Sequence, residues 1–299
     1  MQNSVHDKDQ WSISASSYAH GHQALSSAPV DTLFAQMDRV KPFSTATAIL
    51  DVGCGPEKSL SNLHSRQSPT PRFPPYTSKL QNQRPNLTHR IALDFSAGMI
   101  AQVQKLQQEK QVQTPIWRRV EGKVGDAQVL EGIDDASISH ITGTMVYNLV
   151  EDGRRALEAA HRVLAPEGVL GMTLGMGGEW MDMMTQSAQH IRGASAPTYH
   201  FPAGYSTISG LKTEFEKVGF SAEFVESMEI FIDVSDPKLF VDTFIRGKNP
   251  GAMFFLGDYE EEELDGFVRF MEGLIEEKCR ERGQKRLRGE VIVGVGRKL

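Results

Sequence analysis

From about residue 47 onward, short apolar runs alternate with longer amphipathic stretches. Thr47–Val52 (TAILDV) is a compact apolar run that ends at Gly53-Cys54-Gly55, the pattern of a buried strand entering a glycine turn. His89–Leu93 reads as a second strand. Ala97–Lys110 reads as a helix, with Met99, Ile100, Val103 and Leu106 at helical spacing. A third strand is expected near Ile116–Val120 and a fourth over Ser137–Thr142. Asp152–Leu164 is amphipathic, placing Ala156, Leu157, Ala160, Val163 and Leu164 on one face. Pro166-Glu167-Gly168 is expected to stop that helix ahead of a fifth strand, Val169–Leu174. Beyond it the pattern loosens, and residues 176–210 show many Met, Gly and aromatic residues with weak periodicity. Leu211–Val218 then reads as a helix, Phe220–Val225 as a strand, Tyr259–Arg282 as a long helix and Glu290–Gly296 as a closing strand. Such alternation predicts an α/β protein: a mostly parallel seven-stranded sheet with an antiparallel last strand, helices on both faces and helical lid insertions.

Residues 1–45 form an N-terminal helical arm or lid, anchored by Trp11, Tyr18, Leu25, Val30, Leu33, Phe34 and Met37, and residues 46–299 form the main domain. Residues 66–90 carry five of the chain's 14 prolines, five basic residues and no acid. Prolines remove backbone donors and forbid a continuous helix, so this stretch is read as a surface or disordered insertion. Residues 176–210 and 235–285 are read as segments roofing a substrate.

Composition narrows the picture. With 39% hydrophobic and 23% charged residues the chain can bury a core. A net charge of -6 leans away from nucleic acid as a partner. Two cysteines, Cys54 and Cys279, are too few for a disulfide framework, and no Cys/His spacing suggests a metal site. A polar N-terminus and no long apolar run lead to the expectation of a cytoplasmic protein without a membrane segment.

Three motifs carry candidate chemistry. In Ile49-Leu50-Asp51-Val52-Gly53-Cys54-Gly55 the glycines let the chain turn tightly and let a ligand approach the backbone. Asp94, at the end of the second strand, is placed either to accept both hydroxyls of a ribose or to cap the helix that follows. It lies 39 positions after Gly55 against a usual spacing of roughly 20, an excess that the proline-rich insertion accounts for. Gly125-Asp126-Ala127 offers a carboxylate for an exocyclic amine, or else an ordinary turn. His140, inside a strand, is read as a core residue. The methionines at 172, 176, 181, 183 and 184 fit either an adaptable pocket or core packing.

Taken in order, Asp51-Val-Gly-Cys-Gly55, Leu93-Asp94-Phe-Ser-Ala-Gly-Met99, Gly125-Asp126-Ala127 and Arg162-Val-Leu-Ala-Pro-Glu-Gly168 resemble the class I S-adenosylmethionine-dependent methyltransferases. The similarity is to their ubiquinone-biosynthesis-type branch, which includes fungal natural-product enzymes such as the gliotoxin thiomethyltransferases. It implies a Rossmann-like fold, S-adenosylmethionine as cofactor, and methyl transfer to an O, N or S nucleophile of a small molecule in secondary metabolism. It further implies that Asp51 and the Gly53, Cys54 and Gly55 backbone meet the methionine part. Asp94 would hold the ribose, Phe95 and Met99 would pack near the adenine, and Asp126 and Ala127 would meet its edge. Gly143 and Thr144 would sit beside the sulfonium, and Tyr18 would close over the cofactor. The chain departs from the family where Glu57 replaces a frequent third glycine, which counts against a nicotinamide site more than against methyl transfer. Trp180, Tyr199 and His200 are candidate substrate contacts within the roof. Two rivals stand beside this reading. One is a small-acid carboxyl methyltransferase, for which Arg192 or Arg246 would hold the acid; the other is a cofactor-binding protein without transferase activity.

Overall fold

The computed structural model describes residues 7–21, 28–56, 89–112, 115–196, 198 and 200–299. Two helices, α1 (Lys8–Gly21) and α2 (Ala28–Val40), precede β1 (Ala48–Val52). Then come β2 (His89–Asp94), α3 (Ala97–Lys110), β3 (Val120–Val124), β4 (Ile138–Thr144), α4 (Gly153–Val163) and β5 (Leu164–Gly178). The second half holds α5 (Glu179–Arg192), α6 (Ile208–Val218), β6 (Phe220–Asp233), α7 (Pro237–Val241), α8 (Pro250–Leu256), α9 (Glu261–Arg282) and β7 (Arg286–Lys298). The seven strands form one sheet in the order β3-β2-β1-β4-β5-β7-β6. All neighbours from β3 to β5 are parallel, and β7 runs antiparallel to both β5 and β6. From β1 the chain steps outward to β2 and β3, then crosses back to β4 on β1's other side. That reversal opens a crevice beyond the carboxyl ends of β1 and β4, where open α/β sheets bind ligands.

The main core holds Leu50, Val52, Ile141, Leu170, Phe215 and Ile292, all almost fully buried. Met172 belongs to it, so that methionine is core. A second apolar cluster joins α5, α7, α8 and α9 to the far ends of β6 and β7, burying Met183, Met184, Phe240, Phe267 and Met271. The segments read as a roof are therefore a packed cap with its own core, and 176–210 contains a full helix, α5, missed by its weak periodicity. Trp180 packs in this cap against Phe244, with ring centroids 5.7 Å apart.

Three boundaries differ from expectation. The third strand is Val120–Val124, and Pro115–Arg119 is a 3₁₀ turn before it. As an edge strand with mostly unburied positions (VEGKV), β3 gives little apolar signal, and the apolar residues ahead of it misled the register. β5 begins directly after α4: Leu164 already pairs with Ile138, and the register shifts before Val169. Pro166–Gly168 is thus a bulge in the strand, with Glu167 at φ 60°, rather than a gap after the helix. β6 and β7 run well past their expected ends because they carry the cap.

His140 is fully buried on β4. Its Nε2 lies 3.1 Å from the Lys41 carbonyl, its Nδ1 2.9 Å from Ser139 Oγ, and its ring stacks on Phe43. Burial depresses its pKa to about 4. The unfolded chain then binds the proton more readily, so stability is complete above the unfolded pKa near 6.5 and drains away as pH falls towards 4. Between pH 6.5 and 5 this residue is expected to remove about 1.5 kcal/mol, less than the full slope of 1.36 kcal/mol per pH unit because half of the unfolded imidazoles already carry a proton at pH 6.5. Urea unfolding of the wild type and of His140→Gln at the two pH values measures the difference. An equal slope in both proteins would contradict the assignment.

Candidate functional site

At the end of β1 the chain turns through Gly53 at φ +62° and Gly55 at φ +59°. The left-handed region alone favours glycine at both. Gly53 has a second reason: a Cβ there would lie 2.2 Å from Val146 Cγ2, so the loop after β4 presses directly on its backbone. The Cys54 N–H donates to the Leu93 carbonyl at 3.1 Å, which ties this turn to the end of β2.

Asp94 closes the arrangement. Its Oδ2 accepts from the Gly55 N–H at 3.0 Å and its Oδ1 from the Ser96 N–H at 2.9 Å. Ser96, not Asp94, caps α3 by accepting from the Met99 N–H at 3.2 Å. Burial raises the Asp94 pKa, and the two N–H donors pull it back down. Each carboxylate oxygen has a further lone pair beyond the one taken by an N–H. A buried carboxylate whose described partners are neutral amides is costly to keep unless a ligand completes its hydrogen bonding.

A cavity of about 230 Å³ opens here, lined by Gly53, Gly55, Asp94, Phe95, Met99, Asp126, Ala127 and Thr144 among the residues expected from the sequence. Asp126 folds its carboxylate into its own turn, accepting from the Gln128 N–H at 2.8 Å, and Ala127 is buried beside it. This loop is pinned from behind by Arg162. Its guanidinium donates to the carbonyls of Val129, Leu130 and Ile133 and pairs with Asp135. The arginine of the Arg162–Gly168 motif is thus a positioning residue for the Asp126–Ala127 turn.

Other expected residues lie outside the lining. Asp51 accepts from Thr142 Oγ1 at 2.8 Å, bridging β1 and β4. Cys54 packs towards the cluster of Ala92, Val103, Leu106, Trp117 and Val120 beneath α3. Gly143 is buried under Tyr147, whose Cε2 would be 2.6 Å from a Cβ there, so Thr144 is the β4 residue that reaches the cavity. Tyr18 lies on α1, but its side chain falls outside the described residues, as do Glu57, residues 66–88 and Tyr199. Trp180 belongs to the cap core, and His200 is exposed.

The sequence reading missed Trp11, Gln128, Met145, Val146, Leu149, Val150 and Glu151, which complete the walls with Leu93 and Gly125. Trp11 stands edge-on to Phe95, centroids 6.5 Å apart. Its helix α1 rests on the first turn of α3. Ser12 Oγ is 3.0 Å from Ser96 Oγ, and a Cβ at Gly98 would come within 2.7 Å of the Ser12 carbonyl. A glycine in the first turn of an otherwise well-formed helix was the available signal that another backbone packs there.

The donor set fits a nucleoside. Asp94 offers acceptors for vicinal hydroxyls, Phe95, Met99, Ala127 and Trp11 offer apolar walls, and the Asp126–Ala127 turn offers a polar edge. Residues 76–172 match the methyltransferase domain family. A curated fungal protein, methyltransferase ucsB of Acremonium sp., is 29% identical over 293 residues, spanning 96% of this chain and 94% of its own. Among solved structures, YcgJ of Bacillus subtilis has a TM-score of 0.52 at 17% identity, covering 90% of this chain and 98% of its own. A putative methyltransferase of Bacillus halodurans has a TM-score of 0.52 at 14% identity, with 90% and 99% covered. The [4+2]-cyclase SpnF has a TM-score of 0.51 at 16% identity, with 90% and 80% covered, and at such identities the likeness is one of fold. The domain match, the fungal relative and the Rossmann-like sheet together support an S-adenosylmethionine-dependent methyltransferase of class I.

Proposed function

We propose that the enzyme methylates a thiol or an acidic hydroxyl on an uncharged small molecule of secondary metabolism. The carrying observation is the wall that continues from the cofactor residues along the loop after β4. Met145, Val146, Leu149 and Val150 are apolar, and among the described residues no lysine, arginine or histidine lines the cavity.

When bound, S-adenosylmethionine supplies a methyl group already activated on a sulfonium sulfur. The chain's own task is alignment and exclusion of water, which can be worth about 7–11 kcal/mol. In this reading Asp94 orients the ribose, the Asp126–Ala127 turn meets the adenine, Gly53–Gly55 meets the methionine part, and Trp11 on α1 covers the nucleoside. A general base, worth roughly 10²–10⁴-fold, has few candidates. His140 lies buried in the sheet, His190 stacks on Phe270 in the cap, and Glu151 sits exposed at the cavity mouth. A thiol that ionises near neutral pH needs little such help.

The carboxyl-methyltransferase reading loses its anchors. Arg192 is held by Glu263 and Asp258 and lies over the Tyr259 ring at 3.8 Å, and Arg246 pairs with Asp242, Glu261 and Asp265. Both arginines brace the cap. Incubation with labelled S-adenosylmethionine and a panel of thiols, phenols, amines and carboxylic acids tests the proposal. Label is expected in thiol or phenol products and absent from acids. Ester products alone, or no S-adenosylhomocysteine with any acceptor, would overturn it.

A further inference from the structure

The turn that carries Asp126 is fixed at three points. The Gly125 N–H donates to the Asp94 carbonyl at 2.9 Å, which ties the turn to β2. Arg162 of α4 holds the carbonyls of Val129 and Leu130 from behind. The third point is Gln128, which lines the cavity and uses both branches of its amide. Its Oε1 accepts from the Asp152 N–H at 2.9 Å, and its Nε2 donates to both Asp126 oxygens, at 3.2 and 3.3 Å. Asp152 is the N-cap of α4, its carboxylate accepting from the Arg155 N–H at 3.0 Å. It directly follows the loop after β4, which forms the facing wall of the cavity. One side chain therefore joins two walls that β4 separates in sequence.

The hydrogen bonds of the Asp126 carboxylate can be counted. Oδ1 accepts twice, from the Gln128 backbone N–H at 2.8 Å and from Nε2, while Oδ2 accepts once, from Nε2. Each carboxylate oxygen offers two lone pairs. Among the described residues Oδ1 is thus filled, and one acceptor position remains, on Oδ2. Asp126 is exposed, and an aspartate carboxylate otherwise turns easily about its bond to Cβ, so the Gln128 amide also fixes its plane. A single fixed acceptor selects a donor. A ring bearing an amino group presents an N–H to it, whereas a ring bearing a carbonyl there sets a lone pair against a negative oxygen.

We propose that Gln128 is a positioning residue with two functions. It holds Asp126 Oδ2 so that the site takes a 6-aminopurine and rejects a 6-oxopurine, and it braces that turn against the loop after β4. The proposal rests on the methyl-transfer reading above, which makes the nucleoside of the cofactor the occupant of this cavity. Gln128 acts through Asp126 and Asp152 rather than by touching the reacting atoms. Its amide suits both tasks because it carries a donor and an acceptor on separate branches. Glutamate at this position keeps the acceptor for the Asp152 N–H and loses the donor to Asp126. Methionine keeps the length of the side chain and loses both.

Calorimetric titration of the full chain with S-adenosylhomocysteine and with S-inosylhomocysteine, its 6-oxo analogue, tests the first function. The wild type is expected to prefer the adenine compound by about tenfold or more, the worth of one hydrogen bond to a charged group. Gln128→Met and Gln128→Glu should both bring that preference below about threefold, because neither donates to Asp126. Gln128 is only half-buried, so both variants are expected to fold. Hydrogen exchange tests the second function. The Asp152 amide should exchange about tenfold faster in Gln128→Met and within about twofold of the wild type in Gln128→Glu, whose carboxylate still accepts from it. A role in general stability alone would weaken both compounds equally and leave the preference intact. Failure of the wild type to bind S-adenosylhomocysteine would count against the methyl-transfer reading itself. Equal wild-type affinity for the two compounds, or a preference that both variants keep, would overturn the selection of the base. An unchanged Asp152 exchange rate in Gln128→Met would overturn the brace.

Discussion

Gly53→Ala is expected to abolish measurable S-adenosylhomocysteine binding and to lower the Tm by roughly 5–15 °C, at about 2–4 °C per kcal/mol for a chain of this size. Two costs combine. An alanine at φ +62° pays about 1–2 kcal/mol for the left-handed backbone. Its Cβ, 2.2 Å from Val146 Cγ2, adds an overlap that typically costs about 1–3 kcal/mol to relieve. Relief must come from moving either the glycine turn or the loop that carries Met145 and Val146, and both line the cavity. Gly55→Ala is the control. Its φ of +59° carries the same backbone cost, but nothing lies within 4 Å of the added methyl, so its Tm should fall by less than half as much. A double variant, Gly53→Ala with Val146→Ala, should recover much of the overlap and none of the backbone cost, a coupling that a mutant cycle reads directly. Equal melting of Gly53→Ala and Gly55→Ala would show that the Val146 contact does not constrain the turn.

The same contacts show how far the sequence could be read. The strand-to-glycine turn at Asp51–Gly55 and the acid at Asp94 were legible because backbone necessity and a buried charge leave unmistakable residue types. The distance between them was not an obstacle. β1 and β2 pair in parallel from Ala48 with His89 to Val52 with Leu93, and the Gly55 N–H meets Asp94 across 39 positions of chain. The edge strand β3 was misplaced because, Val120 apart, its positions are not buried and carry no periodic signal. Gly143 was expected beside the sulfonium although Tyr147 covers it, since sequence marks the end of a strand but not which of two adjacent residues turns inward. Trp11 and Gln128 escaped for a different reason. Each matters through a partner distant in sequence, Phe95 for one and Asp152 for the other, and neither local pattern names that partner. Arg192 and Arg246 show the converse error. They looked available as substrate anchors until their ion pairs within the cap were visible.

Asp94→Ala is expected to weaken S-adenosylhomocysteine by about 10²-fold or more while shifting the melting temperature of the free protein far less. A hydrogen bond to a charged group is worth about 1.5–3 kcal/mol, and the ribose assignment gives this carboxylate two of them. At 1.4 kcal/mol per tenfold, even the lower figure for both reaches two orders of magnitude. In the free protein two effects oppose. Alanine leaves the Gly55 and Ser96 N–H groups without their acceptor, but it also removes a carboxylate whose burial disfavours its charge. The pH dependence follows from the same balance. Because the folded protein raises the Asp94 pKa, ionised Asp94 is a burden on the free fold, and that burden lifts as pH falls through the raised value. Cofactor affinity should run the opposite way. Ribose hydroxyls donate to the carboxylate, so affinity is full above the folded pKa and declines as the group takes up its proton. Calorimetric titrations with S-adenosylhomocysteine across the acid range would show this decline in the wild type and its loss in Asp94→Ala. A variant that keeps wild-type affinity would place the ribose elsewhere and leave Asp94 as no more than the clasp between β2 and the glycine turn.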